Sequence, residues 1–140
     1  MYLLDTNVVS ELRKNRPHGG VIAWLKTVPD EELFISALTL GELQAGVERT
    51  KNHDRQKAAA IELWIDRVAE SYEVVPMDAA IFREWARLME GKPDQLFQDA
   101  MIAATARVRR LLVVTRNVRN FASLGVKVLN PFEVSDNPSR

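Results

Sequence analysis

The chain of 140 residues contains no cysteine. That removes disulfides, cysteine-ligated zinc and thiol catalysis, and it suits a reducing cytosol. Histidine is nearly as scarce. His18 and His53 lack metal-ligand spacing and a serine partner, so both are expected at the surface. No net charge remains after 19 basic residues are set against 19 acidic ones, so overall charge selects no partner. No apolar run is long enough to cross a membrane: the purest, residues 100–106, falls far short of the about 20 residues required. Met1 to Glu11 shows neither the basic nor the apolar segment of a secretory signal, which makes a cytoplasmic location the expectation. A phosphate-cradling glycine loop, an internal repeat and a linker are missing too. One domain over residues 1–134 is expected, with a loose polar tail at 135–140.

What is present is globular. Hydrophobic residues make up 46% and charged residues 27%, a composition that argues against wholesale disorder. Short apolar runs alternate with helical periodicity. The runs are Tyr2 to Leu4, Leu33 to Ala37, Glu73 to Pro76, Leu111 to Val114 and an edge-like Val126 to Leu129. Between them, helices are expected around Val8 to Leu12, around Val21 to Val28, and over Thr39 to Lys51 and Arg55 to Glu70. Two more follow, one after an Asp78 cap and one from Gln95 to about Arg110 with Asp94 as its cap. Strands separated by helices need crossover connections, hence an α/β fold with a mostly parallel central sheet covered on both faces. Trp24, Trp64 and Trp85 all lie on amphipathic stripes, which assigns them to the core or to a subunit interface.

The charges are unevenly placed. Between Asp99 and Glu133 no acid occurs, while Arg107, Arg109, Arg110, Arg116, Arg119 and Lys127 all fall there; Arg13, Lys14 and Arg16 form a second basic group. A local excess of this kind can serve a polyanion, although a solvated face would look the same.

Three acids stand out because of their surroundings. Parallel sheets place their sites beyond the carboxyl ends of the strands, where Asp5 follows the first run. Aspartate there is also an ordinary helix N-cap. Glu42 completes Thr39-Leu40-Gly41-Glu42, a capping-box pattern in which the glutamate would reach back to the helix start. Asp99 is the most telling. At about 100° per residue its neighbours on the helix are Leu96, Ile102, Ala103 and Ala106, none of them polar. A lone carboxylate on such a stripe costs several kcal/mol unless it is paired, protonated or bound to a cation.

If the three helices begin beside neighbouring strands, the carboxylates converge. Two like charges about 4 Å apart repel by roughly 4 kcal/mol at an effective dielectric of about 20. A hard divalent cation is the natural counter-charge, and oxygen-only ligands select Mg²⁺ or Mn²⁺ over zinc. Such a centre activates water and steadies a phosphate under in-line attack, and the arginines around it would hold a phosphodiester backbone.

Four blocks in this order are familiar: Leu3-Leu4-Asp5-Thr6-Asn7, Ile35-Ser36 through Thr39-Leu40-Gly41-Glu42-Leu43, Asp99 through Ala106, and Val114-Thr115-Arg116-Asn117 to Phe121. Together they resemble PIN domains, most closely the VapC and FitB type of bacterial toxin, over Leu3 to Phe132. The resemblance implies a three-layer α/β/α sandwich and Mg²⁺- or Mn²⁺-dependent endoribonuclease activity that leaves a 3′-hydroxyl and a 5′-phosphate. It further implies the toxin role in a toxin–antitoxin pair, a homodimer, and silencing by a small antitoxin whose tail enters the active-site groove. By that analogy Asp5, Glu42 and Asp99 hold the metal, Thr6, Asn7, Thr115 and Asn117 support them, and Arg116 and Arg119 face the RNA. The family pattern commonly carries a fourth acid where this chain has Asn120, which can serve the ion only through its amide oxygen or a water. That departure keeps open a module that binds RNA or antitoxin without efficient turnover. A metal-dependent phosphatase is a weaker alternative.

Overall fold

Two buried faces require strands that are apolar on both sides, and the short runs meet that requirement. The computed structural model describes residues 1–133, so the tail at 135–140 and the domain limit at 134 lie outside the described residues. In chain order the elements are β1 (Tyr2–Leu4), α1 (Thr6–Glu11), α2 (Gly19–Leu25), β2 (Leu33–Ser36), α3 (Ala37–Lys51) and α4 (Arg55–Ser71). They continue with β3 (Glu73–Val75), α5 (Ala79–Met89), α6 (Phe97–Arg109), β4 (Leu112–Val114), α7 (Val118–Ala122) and β5 (Val128–Leu129).

The five strands form one sheet in the order β3-β2-β1-β4-β5, and every pairing is parallel. β5 is an edge strand, as its sequence suggested. Successive side chains point to opposite faces, so β1 and β4 each feed two cores. Leu4 and Val114 pack with Val8, Val9, Val21, Trp24 and Val68 on one side. Leu3 and Val113 pack with Ala100, Ala103, Ala106 and Phe121 on the other. The alanines of α6 bring that helix close to the sheet, and the result is a three-layer α/β/α sandwich. α3 and α4 extend from it as a hairpin with a smaller core of Val47, Ala58 and Ile65. No helix among the described residues is long and apolar enough to cross a membrane.

Several helix starts differ from the sequence expectation. α3 begins at Ala37, not Thr39, because Ser36, the last residue of β2, caps it by accepting from the Leu38 N–H at 3.0 Å. α6 begins at Phe97. Asp94 opens a short 3-10 turn and caps nothing through its side chain, while Asp99 stands in the first turn of α6. An acid is favoured there by the helix dipole, so Asp99 is less anomalous than a mid-helix acid would be. Asp78 does cap α5, accepting from Ile81 N–H at 3.0 Å. His18 is no simple surface residue: its Nδ1 accepts from Gly20 N–H at 3.0 Å and caps α2. His53 is exposed, and Trp24 is core.

Candidate active site

β1 and β4 are neighbours with Leu4 opposite Val114, so the residues that follow them, Asp5 and Thr115, emerge side by side. The Asp5 N–H continues the ladder by donating to the Val114 carbonyl at 2.9 Å. Its carboxylate is 5% exposed and heavily hydrogen-bonded. Oδ1 accepts from the Thr6 N–H at 2.9 Å, and Oδ2 accepts from Thr115 Oγ1 at 2.8 Å and Asn7 Nδ2 at 3.2 Å. The N-cap role and a place in the site therefore coexist in one side chain.

The donor directions follow from valence. The Thr115 hydroxyl accepts from the Asn117 N–H at 2.9 Å and from Asn7 Nδ2 at 3.2 Å, so its single proton goes to Asp5. Asn7 is oriented in turn, because its Oδ1 accepts from the Arg116 N–H at 3.2 Å. Thr6, Asn7 and Thr115 thus cradle Asp5, and Asn117 holds Thr115 in turn.

Glu42 is half-buried and loosely held. Its capping-box bond is not made, since Ser36 already serves the start of α3. Its contact is a long one of 3.4 Å from the Thr6 hydroxyl. That hydroxyl also meets the hydroxyl of Thr39 at 3.0 Å. Asp99 reaches the same end of the sheet because α6 runs back towards the strand that follows it. Its Oδ2 accepts from Asn120 Nδ2 at 2.9 Å. Asn120 therefore meets the site as a donor to Asp99 through its Nδ2.

Asp5, Glu42 and Asp99 line one cavity of about 330 Å³ together with Thr6, Asn7 and Asn117. Burial is the main cause that pushes the Asp5 carboxyl up from its usual value; Asp99 adds to it by repulsion, and the bonds from Thr115, Thr6 and Asn7 oppose it. Glu42 is pushed up by burial first and then by the charges of Asp5 and Asp99, with the Thr6 hydroxyl opposing. None of the three pairs with a lysine or arginine among the described residues, whose ion pairs go to Glu11, Glu48, Glu84 and Asp78.

The convergence has a limit. Among the described residues no three acids or histidines stand close enough to ligate one ion directly. The reason lies in the separate tethers: Asp5 is tied to the β4 side by Thr115, and Asp99 to α7 by Asn120. The donor set still suits Mg²⁺ or Mn²⁺, since it is all oxygen, carries unbalanced negative charge and needs only one or two direct carboxylates when the ion keeps waters.

The two arginines expected at the substrate are exposed. The Arg116 guanidinium lies over the Phe132 ring at 3.7 Å, and neither it nor Arg119 lines the cavity. Sequence reasoning passed over Ser10, Thr39 and Gln98. Ser10 and Gln98 line the cavity, and Thr39 supports it through Thr6. The helical offsets of four from Thr6 to Ser10 and of three from Thr39 to Glu42 were the available signals.

Comparison with known proteins points to one family. The sequence model of the PIN domain family matches residues 2–127. The chain is 36% identical to Toxin FitB of Neisseria gonorrhoeae over 139 residues, covering 94% of this chain and 99% of that protein. It is 34% identical to VapC ribonuclease Y4jK of Sinorhizobium fredii over 144 residues, covering 95% and 99%. Among solved structures, FitAcB from N. gonorrhoeae superposes with a TM-score of 0.84 at 30% identity, covering 96% of this chain and 100% of that one.

Proposed function

The chain belongs to the PIN-domain family, and on that premise we propose that it is a divalent-metal-dependent endoribonuclease, the toxin of a toxin–antitoxin pair. The observation that carries the reading is the shared cavity of Asp5, Glu42 and Asp99. Two of its carboxyls are shifted towards their protonated forms, and among the described residues no basic side chain pairs with any of the three. Similarity to a toxin and to a ribonuclease over almost the full length supports the same reading.

Asp5, Glu42 and Asp99 would hold a Mg²⁺ or Mn²⁺ ion, which when bound supplies Lewis acidity towards water and phosphate and offsets their charge. The Thr115 hydroxyl, Asn7 amide and Thr6 N–H keep Asp5 fixed and favour its ionised form. Asn120 aims Asp99 by donating to one of its oxygens. Glu42, with one weak tether, keeps its oxygens available to the cavity. Ile102 gives the cavity an apolar side. Arg116 and Arg119, in the segment after β4, meet phosphates of the RNA outside the reacting centre. Neutralisation by a cognate antitoxin fits a toxin of this kind. A homodimer is supported by an exposed aromatic row: Phe82 is 44% and Phe97 45% exposed, and both stack edge-on against Trp85.

Cleavage of a defined single-stranded RNA, with Mn²⁺ or with EDTA, tests the proposal. Metal-dependent cutting that falls at least a hundredfold in Asp99→Asn is expected. Cutting in EDTA, or an Asp99→Asn variant as active as the parent, overturns the mechanism.

A further inference from the structure

A second concavity of about 330 Å³ opens from the site, sharing Thr6, Ser10 and Glu42 with it and continuing to Arg13, Arg49 and Trp64. One face of α3 builds its floor. Glu42, Gly46, Arg49 and Thr50 follow each other at offsets of four, seven and eight, so they lie along a single helix side. Position 49 lies about 10 Å along the axis from position 42, at 1.5 Å per residue. Gly46 keeps the floor low: no side chain rises there, and Arg49 Nη2 lies 3.7 Å from where its Cβ would be. α1 and the residues after it contribute the opposite wall through Thr6, Ser10 and Arg13. α4 closes the slot with the half-buried Trp64.

Among the described residues the two arginines belong to the larger group of basic side chains that no acid engages. Lys14, Lys51, Arg87, Arg107 and Arg109 are paired with acids, and Arg116 rests on Phe132. Among the described residues Arg13 and Arg49 enter no ion pair. They therefore present free positive charge at the end of a slot whose other end is anionic. A polyanion approaching three carboxylates is repelled unless cations further along receive its neighbouring phosphates, and a slot between helices admits one strand rather than a duplex. A positive groove with an aromatic wall is the arrangement that tracks single-stranded nucleic acid, with a base against the ring and a phosphate on the guanidinium.

We propose that this slot is a subsite for a nucleotide flanking the scissile phosphate of a single-stranded RNA, with Arg13 and Arg49 receiving its phosphate and Trp64 its base. The inference rests on the proposed nuclease reading of the adjoining carboxylates. Arg13, Arg49 and Trp64 are positioning residues; they set where the strand lies and take no part in the chemistry.

Binding of a fluorescent single-stranded oligoribonucleotide, followed by anisotropy in Ca²⁺ buffer, separates this proposal from cleavage. Arg13→Gln/Arg49→Gln is expected to weaken binding at least tenfold, and Trp64→Leu at least threefold. The double variant should also flatten the salt dependence of log K by roughly 0.7 for each phosphate that is no longer neutralised. Cleavage by the double variant in Mn²⁺ should show a raised KM with kcat within twofold of the parent. Gly46→Leu, which leaves the net charge unchanged but fills the floor and crowds the Arg49 guanidinium, should weaken binding as well. Arginine-dependent RNA binding without any metal-dependent cutting would sink the nuclease reading and keep the subsite. Metal-dependent cutting with RNA affinity, salt slope and KM all unchanged in the arginine variants overturns the subsite. Loss of antitoxin binding alone in those variants also overturns it, and gives the slot to the peptide.

Discussion

Replacing Thr115 by valine isolates the support of Asp5 from the carboxylate itself. The hydroxyl is fully buried, donates to Asp5 Oδ2 at 2.8 Å, and accepts from the Asn117 N–H and Asn7 Nδ2. Valine keeps the shape and removes all three bonds. A hydrogen bond to a charged group contributes about 1.5–3 kcal/mol, and the two donors left without an acceptor add to the loss. A destabilisation of about 2–3 kcal/mol is therefore expected. At roughly 3 °C per kcal/mol for a chain of this size, Tm should fall by about 6–9 °C. Calorimetry at about pH 7.5 in EDTA reads this directly. A second readout follows from the sign of the Thr115 effect. The hydroxyl lowers the Asp5 carboxyl against the pull of burial, so its loss lets the carboxyl rise further. The acid limb of Mn²⁺-dependent cleavage should move to higher pH in Thr115→Val and return in Thr115→Ser. A Tm within about 1 °C of the parent, with an unmoved acid limb, would refute the view that this cradle governs Asp5.

Glu42 offers a test with the opposite sign for stability. Its native carboxyl is raised from an ordinary 4.5, so the folded state holds that proton to higher pH than the unfolded chain does. The resulting stabilisation is fully present below 4.5 and is lost as pH rises through the native value. In EDTA, Glu42→Gln should therefore unfold at higher temperature than the parent at about pH 7.5, with the gap closing towards about pH 4; thermal scans across pH show it, and a gap independent of pH refutes it. Asn120→Asp replaces a donor to Asp99 by a like charge at 2.9 Å range. It should lower Tm in EDTA by several degrees, tighten Mn²⁺ at least tenfold by calorimetric titration, and restore cleavage if the parent only binds. An unchanged Mn²⁺ affinity would place residue 120 outside the ion's reach.

The sheet was readable because a strand covered on both sides must be apolar at every position, and Leu3-Leu4 and Val113-Val114 are. All five runs are strands, and all but the first are trimmed at one end. Asp5 was readable for a topological reason: the first residue after a central parallel strand has few other places to go. The helix starts were less legible. Both Ser36 and Thr39 can cap, and the choice depends on where β2 releases the chain, which no local pattern records. Asp94 lost its assigned role for a similar reason, because a 3-10 turn intervenes before α6. α7 has five residues and gives too little periodicity to detect. Arg116 could not be placed from sequence, since its partner Phe132 is distant in the chain and the contact depends on packing.

The pairing of β1 with β4 also has a consequence in time. Asp5 lies near the amino terminus of the chain, yet its hydroxyl donor stands 110 residues later. β1 can join β2 early, because the loop between them is modest, whereas β4 follows much later in the chain and closes a far longer loop. A growing polypeptide on the ribosome thus carries the first acid without its cradle. Competence to cut comes only once β4 has been made and has joined β1, so the hazard follows closure of the sheet rather than the appearance of the first acid.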